Sequence, residues 1–154
     1  MDIRLAPNAF DPKAEETLFA AGRSDVGALV SFVGICRDHN DGHPVAELFL
    51  DHYPRFTDRE IFRIAAEIAD RFDCPDLMVI HRVGTVRPGE AIVLVAALSE
   101  HRAKAFEAVR LMMDYLKTDA PLWKKEMGPD GAIRWIEPRA SDTAMRALAE
   151  GEAS

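Results

Sequence analysis

Apolar positions along this chain recur at a spacing near 3.6 in some stretches and near 2 in others, so helices and strands are expected in mixed order. Asp2–Ala6 alternates weakly and reads as a short strand. Asp11-Pro12 predicts a helix start, an N-cap followed by proline at the first helical position, with the helix running to about Ala21 and ending at Gly22. Gly27–Gly34 is a largely apolar, β-rich run, read as a buried strand. Arg37–Pro44 has the Asp, His, Asn, Gly and Pro content of a loop. Val45–Tyr53 alternates, with Ala46, Leu48 and Leu50 on one face, and reads as a strand.

Thr57-Asp58-Arg59-Glu60 matches a capping box. Ile61, Ile64, Ala65, Ile68, Ala69 and Phe72 then follow at helical spacing. Leu77–Val83 and Ala91–Leu98 read as strands joined through a turn at Arg87-Pro88-Gly89-Glu90. Ser99 is the expected N-cap of a helix to about Lys117, burying Ala105, Phe106, Val109, Met112, Met113 and Leu116. Leu122–Glu126 and Ala132–Glu137 flank Gly-Pro-Asp-Gly as a hairpin, and Ser141 is expected to cap a terminal helix ending near Glu150. No repeat or linker interrupts the 154 residues, so a single α+β domain with a mostly antiparallel sheet is expected.

The formal net charge of −7 disfavours non-specific binding to nucleic acid, which needs a basic surface. It leaves room for a local basic pocket suited to a small anion. Two cysteines, Cys36 and Cys74, make no disulfide framework and fit a reducing cytosol. No N-terminal apolar segment reads as a secretion signal, and no run approaches the roughly 18 apolar residues of a membrane span.

Five cations stand out: Arg37, His101, Arg102, Lys117 and Lys124. His101-Arg102 lies at the start of a helix, where the macrodipole disfavours positive charge, a placement easier to understand if an anion binds there. Arginine supplies a planar fork and lysine a movable point charge for phosphate or carboxylate. The plainer reading stands beside it. Lys117 complements a helix C-terminus, and Lys124 and Lys125 alternate on a strand, so only one faces a given side.

His39 and His43 are four apart, but Asp41-Gly42 between them argues for a loop, so a metal site is not expected. His52 and His81 read as hydrogen-bonded structural residues. Cys36 precedes Arg37, which would favour a thiolate nucleophile, yet a free cysteine is more often a small buried hydrophobe. Trp123, Trp135 and Met127 give the hairpin an aromatic and apolar character suited either to the core or to a partner.

These features lie within a longer series of motifs. It comprises Gly27-Ala28-Leu29-Val30-Ser31-Phe32-Val33-Gly34, Arg37-Asp38-His39-Asn40, Leu50-Asp51-His52-Tyr53-Pro54, Ile80-His81-Arg82-Val83-Gly84 and Val86-Arg87-Pro88-Gly89-Glu90. It continues through Ser99-Glu100-His101-Arg102, Phe106-Glu107-Ala108, Met113-Asp114-Tyr115-Leu116-Lys117-Thr118, Ala120-Pro121-Leu122-Trp123-Lys124-Lys125-Glu126 and Trp135-Ile136-Glu137. In order and spacing, over about Gly27 to Asp142, the series resembles the large, catalytic subunit of molybdopterin synthase.

The resemblance implies an α/β hammerhead with an additional, mostly antiparallel sheet. It implies a sulfurtransferase of molybdenum cofactor biosynthesis that installs two sulfurs on cyclic pyranopterin monophosphate (precursor Z), forming the dithiolene of molybdopterin. The implied donor is the Gly-Gly thiocarboxylate tail of a small ubiquitin-like subunit, inserted into a pocket of the large one. The implied assembly is a heterotetramer around a homodimer of large subunits, in the cytoplasm, with no metal or other cofactor. Residue by residue, the resemblance makes Lys117 and Lys124 catalytic and makes Arg37, His101, Arg102 and Arg139 substrate-binding. Lys117 would be a general acid/base or an amine nucleophile, and Lys124 would hold the thiocarboxylate or assist proton transfer. The family often has another residue where Cys36 stands, in keeping with sulfur supplied by the partner. Two other classes remain open: a non-catalytic module binding a ubiquitin-like tail, and a different phosphate-handling enzyme on the same fold.

Overall fold

The computed structural model describes residues 1–136; the expectations placed on Arg139 and on a helix capped by Ser141 lie outside them. The described residues form β1 (Asp2–Ala6), α1 (Pro12–Ala20), β2 (Ala28–Ile35), β3 (His39–Asn40), β4 (His43–Pro44), β5 (Glu47–His52) and α2 (Phe56–Arg71). There follow β6 (Asp76–Arg82), β7 (Gly84–Val86), β8 (Ala91–Ser99), α3 (Arg102–Thr118), β9 (Leu122–Met127) and β10 (Ile133–Ile136).

One four-stranded sheet has the order β1-β6-β8-β2, with only β1 and β6 parallel. The second, β10-β9-β5-β7, is antiparallel throughout. This is the α+β arrangement that the order of periods implies. On one face of the first sheet Val79, Val95 and Ala97 pack with Ile61 and Ala65 of α2 and with Ala105 and Met112 of α3. On the other face Met78, Ile80, Leu94 and Ala96 pack with Phe10 and Phe19. β8 is therefore buried on both sides, which is why its sequence is an unbroken apolar run. A smaller cluster of Cys36, Leu48, Leu50 and Val86 fills the inner side of the second sheet.

Several elements differ from expectation for identifiable reasons. β2 is an edge strand, not a buried one: Leu29, Phe32 and Ile35 are exposed. An apolar run reports affinity for a covered surface without saying which molecule covers it. Just before the strand lies Gly27, where a Cβ would lie 2.5 Å from the Glu100 carbonyl oxygen, so no other residue fits that approach. The Arg37–Pro44 loop contains the small β3–β4 hairpin, turning through Asp41 (φ 48°) and Gly42 (φ 77°), both left-handed as a primed turn requires. β7 is too short to register as a strand in the sequence. Phe106, placed in the buried stripe of α3, is exposed.

The Asp11 cap of α1 is observed, its carboxylate accepting the Lys13 and Ala14 N–H groups, but the caps expected at Ser99 and Thr57 shift. Ser99 is the last residue of β8, and the N-cap of α3 is His101, whose side chain makes no capping bond. The Ser99 hydroxyl accepts the His101 N–H, at 3.3 Å. Thr57 lies inside α2, whose N-cap is Arg55 in a left-handed conformation (φ 68°). The Thr57 hydroxyl is used elsewhere. It accepts the Tyr53 N–H at 2.9 Å and donates to the Pro121 carbonyl at 2.9 Å, tying the start of α2 to the corner between α3 and β9.

Thr57 is fully buried, so Thr57→Val should leave the Tyr53 N–H and the Pro121 C=O unpaired at nearly unchanged volume. The expected cost is about 1–3 kcal/mol, read as a lower urea midpoint at unchanged slope. An unaltered midpoint would show that the bridge adds nothing to stability.

Candidate functional site

The end of β2, the end of α3 and the inner face of β9 enclose a cavity of about 430 Å³. Arg37, Asn40, Cys36, Lys117, Lys124 and Glu126 are among its lining residues. Each arrives there for a local reason. Lys117 occupies the last turn of α3, where a cation complements the helix dipole. After three connecting residues the chain re-enters a sheet as β9, in which Lys124 pairs opposite Leu50. Strand alternation sends Leu122, Lys124 and Glu126 into the cavity. Lys125 takes the outer side, its Nζ 4.7 Å from the Phe49 ring centroid and 5.5 Å from that of Trp135. The ambiguity between the two adjacent lysines is thus resolved in favour of Lys124. Arg37 leaves the end of β2 and donates from Nη2 to Asn40 Oδ1 at 3.3 Å.

The cationic set divides within one chain. Arg37, Lys117 and Lys124 share the cavity, whereas His101 and Arg102 stand at the opposite end of α3. Fifteen residues of helix separate Arg102 from Lys117, roughly 22 Å at 1.5 Å per residue. Both residues are exposed, and His101 Nε2 lies 3.9 Å from Glu100 Oε1.

Glu126 is a cavity residue that the sequence reading passed over. Its side chain is buried, and its Oε2 accepts from Arg134 Nη2 of β10 at 2.9 Å. The available signal was its position two residues after Lys124 on the same strand. Cys36 is buried in the cavity wall, and burial, with the charges of Glu126 and Glu90 adding to it, pushes its thiol pKa up. That is the reverse of what an activated thiolate needs. The hairpin aromatics Trp123 and Trp135 are exposed; Trp123 meets Tyr53 edge to face, with ring centroids 4.9 Å apart. His39 sits against Asp38 (Nδ1–Oδ1 2.6 Å), and among the described residues no three His, Cys, Asp or Glu side chains gather to hold a metal.

His81 is buried at the end of β6, and its Nδ1 is 2.7 Å from the Arg82 carbonyl, which fixes the proton on Nδ1. Burial lowers its pKa to about 4, and the charge of Lys124 pushes in the same direction. The imidazole beside this cavity is therefore neutral at pH 7.

Comparison with known proteins adds three findings. The family model described as "MoaE protein" matches residues 5–119. A curated relative from Pseudomonas aeruginosa, a molybdopterin synthase catalytic subunit, is 47% identical over 94% of this chain and 95% of its own length. The structure of the molybdopterin biosynthesis MoaE protein from Burkholderia ambifaria superposes with a TM-score of 0.78 at 41% identity, covering 98% of this chain and 97% of that one. At 20% identity the fold alone is also shared, with a TM-score of 0.69, by a chain in the complex of subunits 1 and 2 of the Helicobacter pylori molybdopterin-converting factor; the match covers 89% of this chain and 90% of that one.

The His81 pKa carries a sign for stability. The folded value, about 4, lies below the ordinary value of about 6.5, so between them the unfolded chain binds more protons. His81 should therefore contribute full stability above pH 6.5 and lose it as pH falls toward 4, by about 3 kcal/mol in all. Urea unfolding at pH 7 and pH 5 should show a steeper loss in the wild type than in His81→Gln. Parallel losses would remove His81 as the source.

Proposed function

The chain belongs to the MoaE protein family and is an enzyme of molybdenum cofactor biosynthesis, and we propose that its cavity is where sulfur passes from a small partner subunit to a pterin phosphate. The observation that carries this reading is the convergence of Arg37, Lys117 and Lys124 on one cavity, from a strand end, a helix end and a second strand. All the charge brought to the reaction is negative: the cyclic phosphate of precursor Z and the thiocarboxylate of the partner's Gly-Gly tail. Cations on separate rigid elements can hold two anions at once without closing on each other. A module that only bound the tail would not need two lysines in the same cavity.

At each of two carbons the thiocarboxylate sulfur forms a carbon–sulfur bond as a carbon–oxygen bond breaks; water then cleaves the acyl–sulfur bond, leaving the sulfur on the pterin, and one spent tail per sulfur departs as a carboxylate. Lys117, at the end of α3, moves the proton at the attacked carbon or adds to it as an amine. Lys124, held on β9, meets the thiocarboxylate. Arg37 binds the phosphate or pterin. Cys36 carries no sulfur in this scheme, since its burial and its acidic neighbours keep it a thiol. Arg139 is retained as a substrate contact on the family pattern alone. A cytoplasmic location suits the unpaired thiols Cys36 and Cys74; among the described residues no helix is long and apolar enough to cross a membrane.

The distant pair His101-Arg102 is accounted for by a homodimer. β2 offers a sheet edge with exposed Leu29, Phe32 and Ile35, an edge that a second copy would cover. Ala28, at one end of β2, pairs with Ser99, next to the start of α3, and Ile35, at the other end, leads into the cavity. An antiparallel partner on this edge would lay the Arg102 end of one copy beside the Arg37 end of the other. The span of β2, roughly 26 Å at 3.3 Å per residue, is close to the length of α3, so the two displacements compensate. The small subunit would then serve each cavity from outside the central pair, giving the heterotetramer.

Two experiments test this reading. With thiocarboxylated small subunit and precursor Z, the protein should form the dithiolene, and Lys117→Ala should nearly abolish product while keeping the wild-type melting temperature. Near-normal turnover in that folded variant would take Lys117 out of the mechanism.

The second concerns the dimer. Lys117→Ala and Arg102→Ala should each be impaired alone. Co-refolding equal amounts should restore activity to about a quarter of wild type, because half of the dimers are mixed and each mixed dimer has one intact site. No recovery would mean that Arg102 serves its own chain or none.

A further inference from the structure

Arg82 is an arginine where the surroundings call for an apolar side chain. It closes β6, its side chain is 4% exposed, and its Nε is buried without a hydrogen-bond partner among the described residues. Burying a cation incompletely paired is costly, and apolar replacements in such positions often stabilise a fold. Arg82 is not among the residues that line the cavity. Its remaining bonds show where its influence goes.

Arg82 Nη2 donates to the Thr85 carbonyl at 2.7 Å, and Nη1 meets Glu90 Oε2 at 3.2 Å. The same Glu90 oxygen accepts the Arg87 N–H at 2.9 Å, closing the 87–90 turn on itself. The Arg87 N–H first, and then Arg82, hold the Glu90 carboxyl below its ordinary pKa, so it is ionised at neutral pH. The backbone of this turn then grips the end of β2. Cys36 N–H donates to the Glu90 carbonyl at 2.9 Å, and Gly89 N–H donates to the Cys36 carbonyl at 2.8 Å. This second grip is needed because the β2–β8 register shifts between Gly34 and Ile35, where the regular ladder is lost. The next residue along the chain is Arg37.

We propose that Arg82 and Glu90 are positioning residues: their ion pair clamps the 87–90 turn onto Cys36 and thereby holds Arg37 in the cavity to receive the substrate anion. The clamp rests on the reading of Arg37 given above. An arginine suits the task because its planar fork reaches two acceptors in different segments, the Thr85 carbonyl and the Glu90 carboxylate, which an apolar residue cannot bridge. Arg37 is itself exposed, and among the described residues Asn40, at 3.3 Å, is its side-chain hydrogen-bond partner, so its direction depends on the backbone that presents it.

The test combines Arg82→Met and Glu90→Gln with Arg37→Ala, in the enzyme supplied with thiocarboxylated small subunit. Either clamp variant should raise the KM for precursor Z about tenfold with kcat within a factor of about two. Amide hydrogen exchange at Cys36 and Gly89 should quicken in both. Added to Arg37→Ala, neither substitution should raise KM further, because the clamp acts through Arg37. A further rise by the full factor in that background, or unchanged exchange at Cys36 and Gly89, overturns the proposal. If Arg82→Met does not fold, Glu90→Gln decides on the same readouts, since the Glu90 side chain is one-third exposed. If Arg37→Ala alone leaves KM unchanged, the role given to Arg37 falls, and the exchange rates still decide whether the clamp exists.

Discussion

The corner between α3 and β9 is the constraint on which the site depends. Lys117 and Lys124 lie on different kinds of element, and only Asp119, Ala120 and Pro121 separate the two. A connection so short leaves little freedom in how the strand departs. The backbone is tied at both ends: Asp119 and Ala120 N–H groups return to the Tyr115 carbonyl, and the Pro121 carbonyl is taken by buried Thr57. The Thr57 hydroxyl joins a third element to the corner, so α2, α3 and β9 are fixed together at one point. Two like charges facing one cavity repel each other; rigid attachment prevents the repulsion from being relieved by moving the backbone.

The second constraint is that two sheets share one chain without a linker. β6 of the first sheet ends at Arg82, and β7 of the second begins at Gly84. Val83 still bonds to the Ala6 carbonyl of the first sheet, while Gly84, at φ 78°, makes the turn into the second. His81 and Arg82 therefore sit at the seam, buried, with charged groups of both sheets close by. This explains why polar residues occupy a position that would otherwise belong to the core. The seam is close enough to the cavity for the charge of Lys124 to act on His81.

The molecule's surface also carries information about what is absent from a single chain. Leu29, Phe32 and Ile35 on β2, and Trp123 and Trp135 on the second sheet, are exposed, although Val30, Val33, Leu122 and Ile136 beside them pack against the core. The two sets lie on different sheets. The first is a strand edge, open to continuation by backbone pairing; the second is the outer face of a hairpin, where Lys125 lies over two aromatic rings. Edges and faces are covered by different kinds of contact, and the separation of the two sets agrees with an assembly containing both a copy of the same chain and a second, smaller protein.

Local order was determined by the sequence itself: the Asp11-Pro12 helix start, the stripe of α2, the double-sided apolar run of β8 and the family motifs follow from short-range periodicity and spacing. Such patterns record which side chains must leave water. They do not record where a hydroxyl finds its partner, so Thr57 and Ser99 resembled caps although Thr57 bridges to Pro121, 64 residues away, and Ser99 ends a strand. Which side of β9 faces the cavity, the inclusion of Glu126 and the separation of His101-Arg102 from the cavity were decided only by the tertiary structure. Each depends on which way a strand faces or how far a helix reaches. The physical reason is that helix and strand periods are properties of neighbours in sequence, whereas a cavity is made by elements that meet only after the chain has folded.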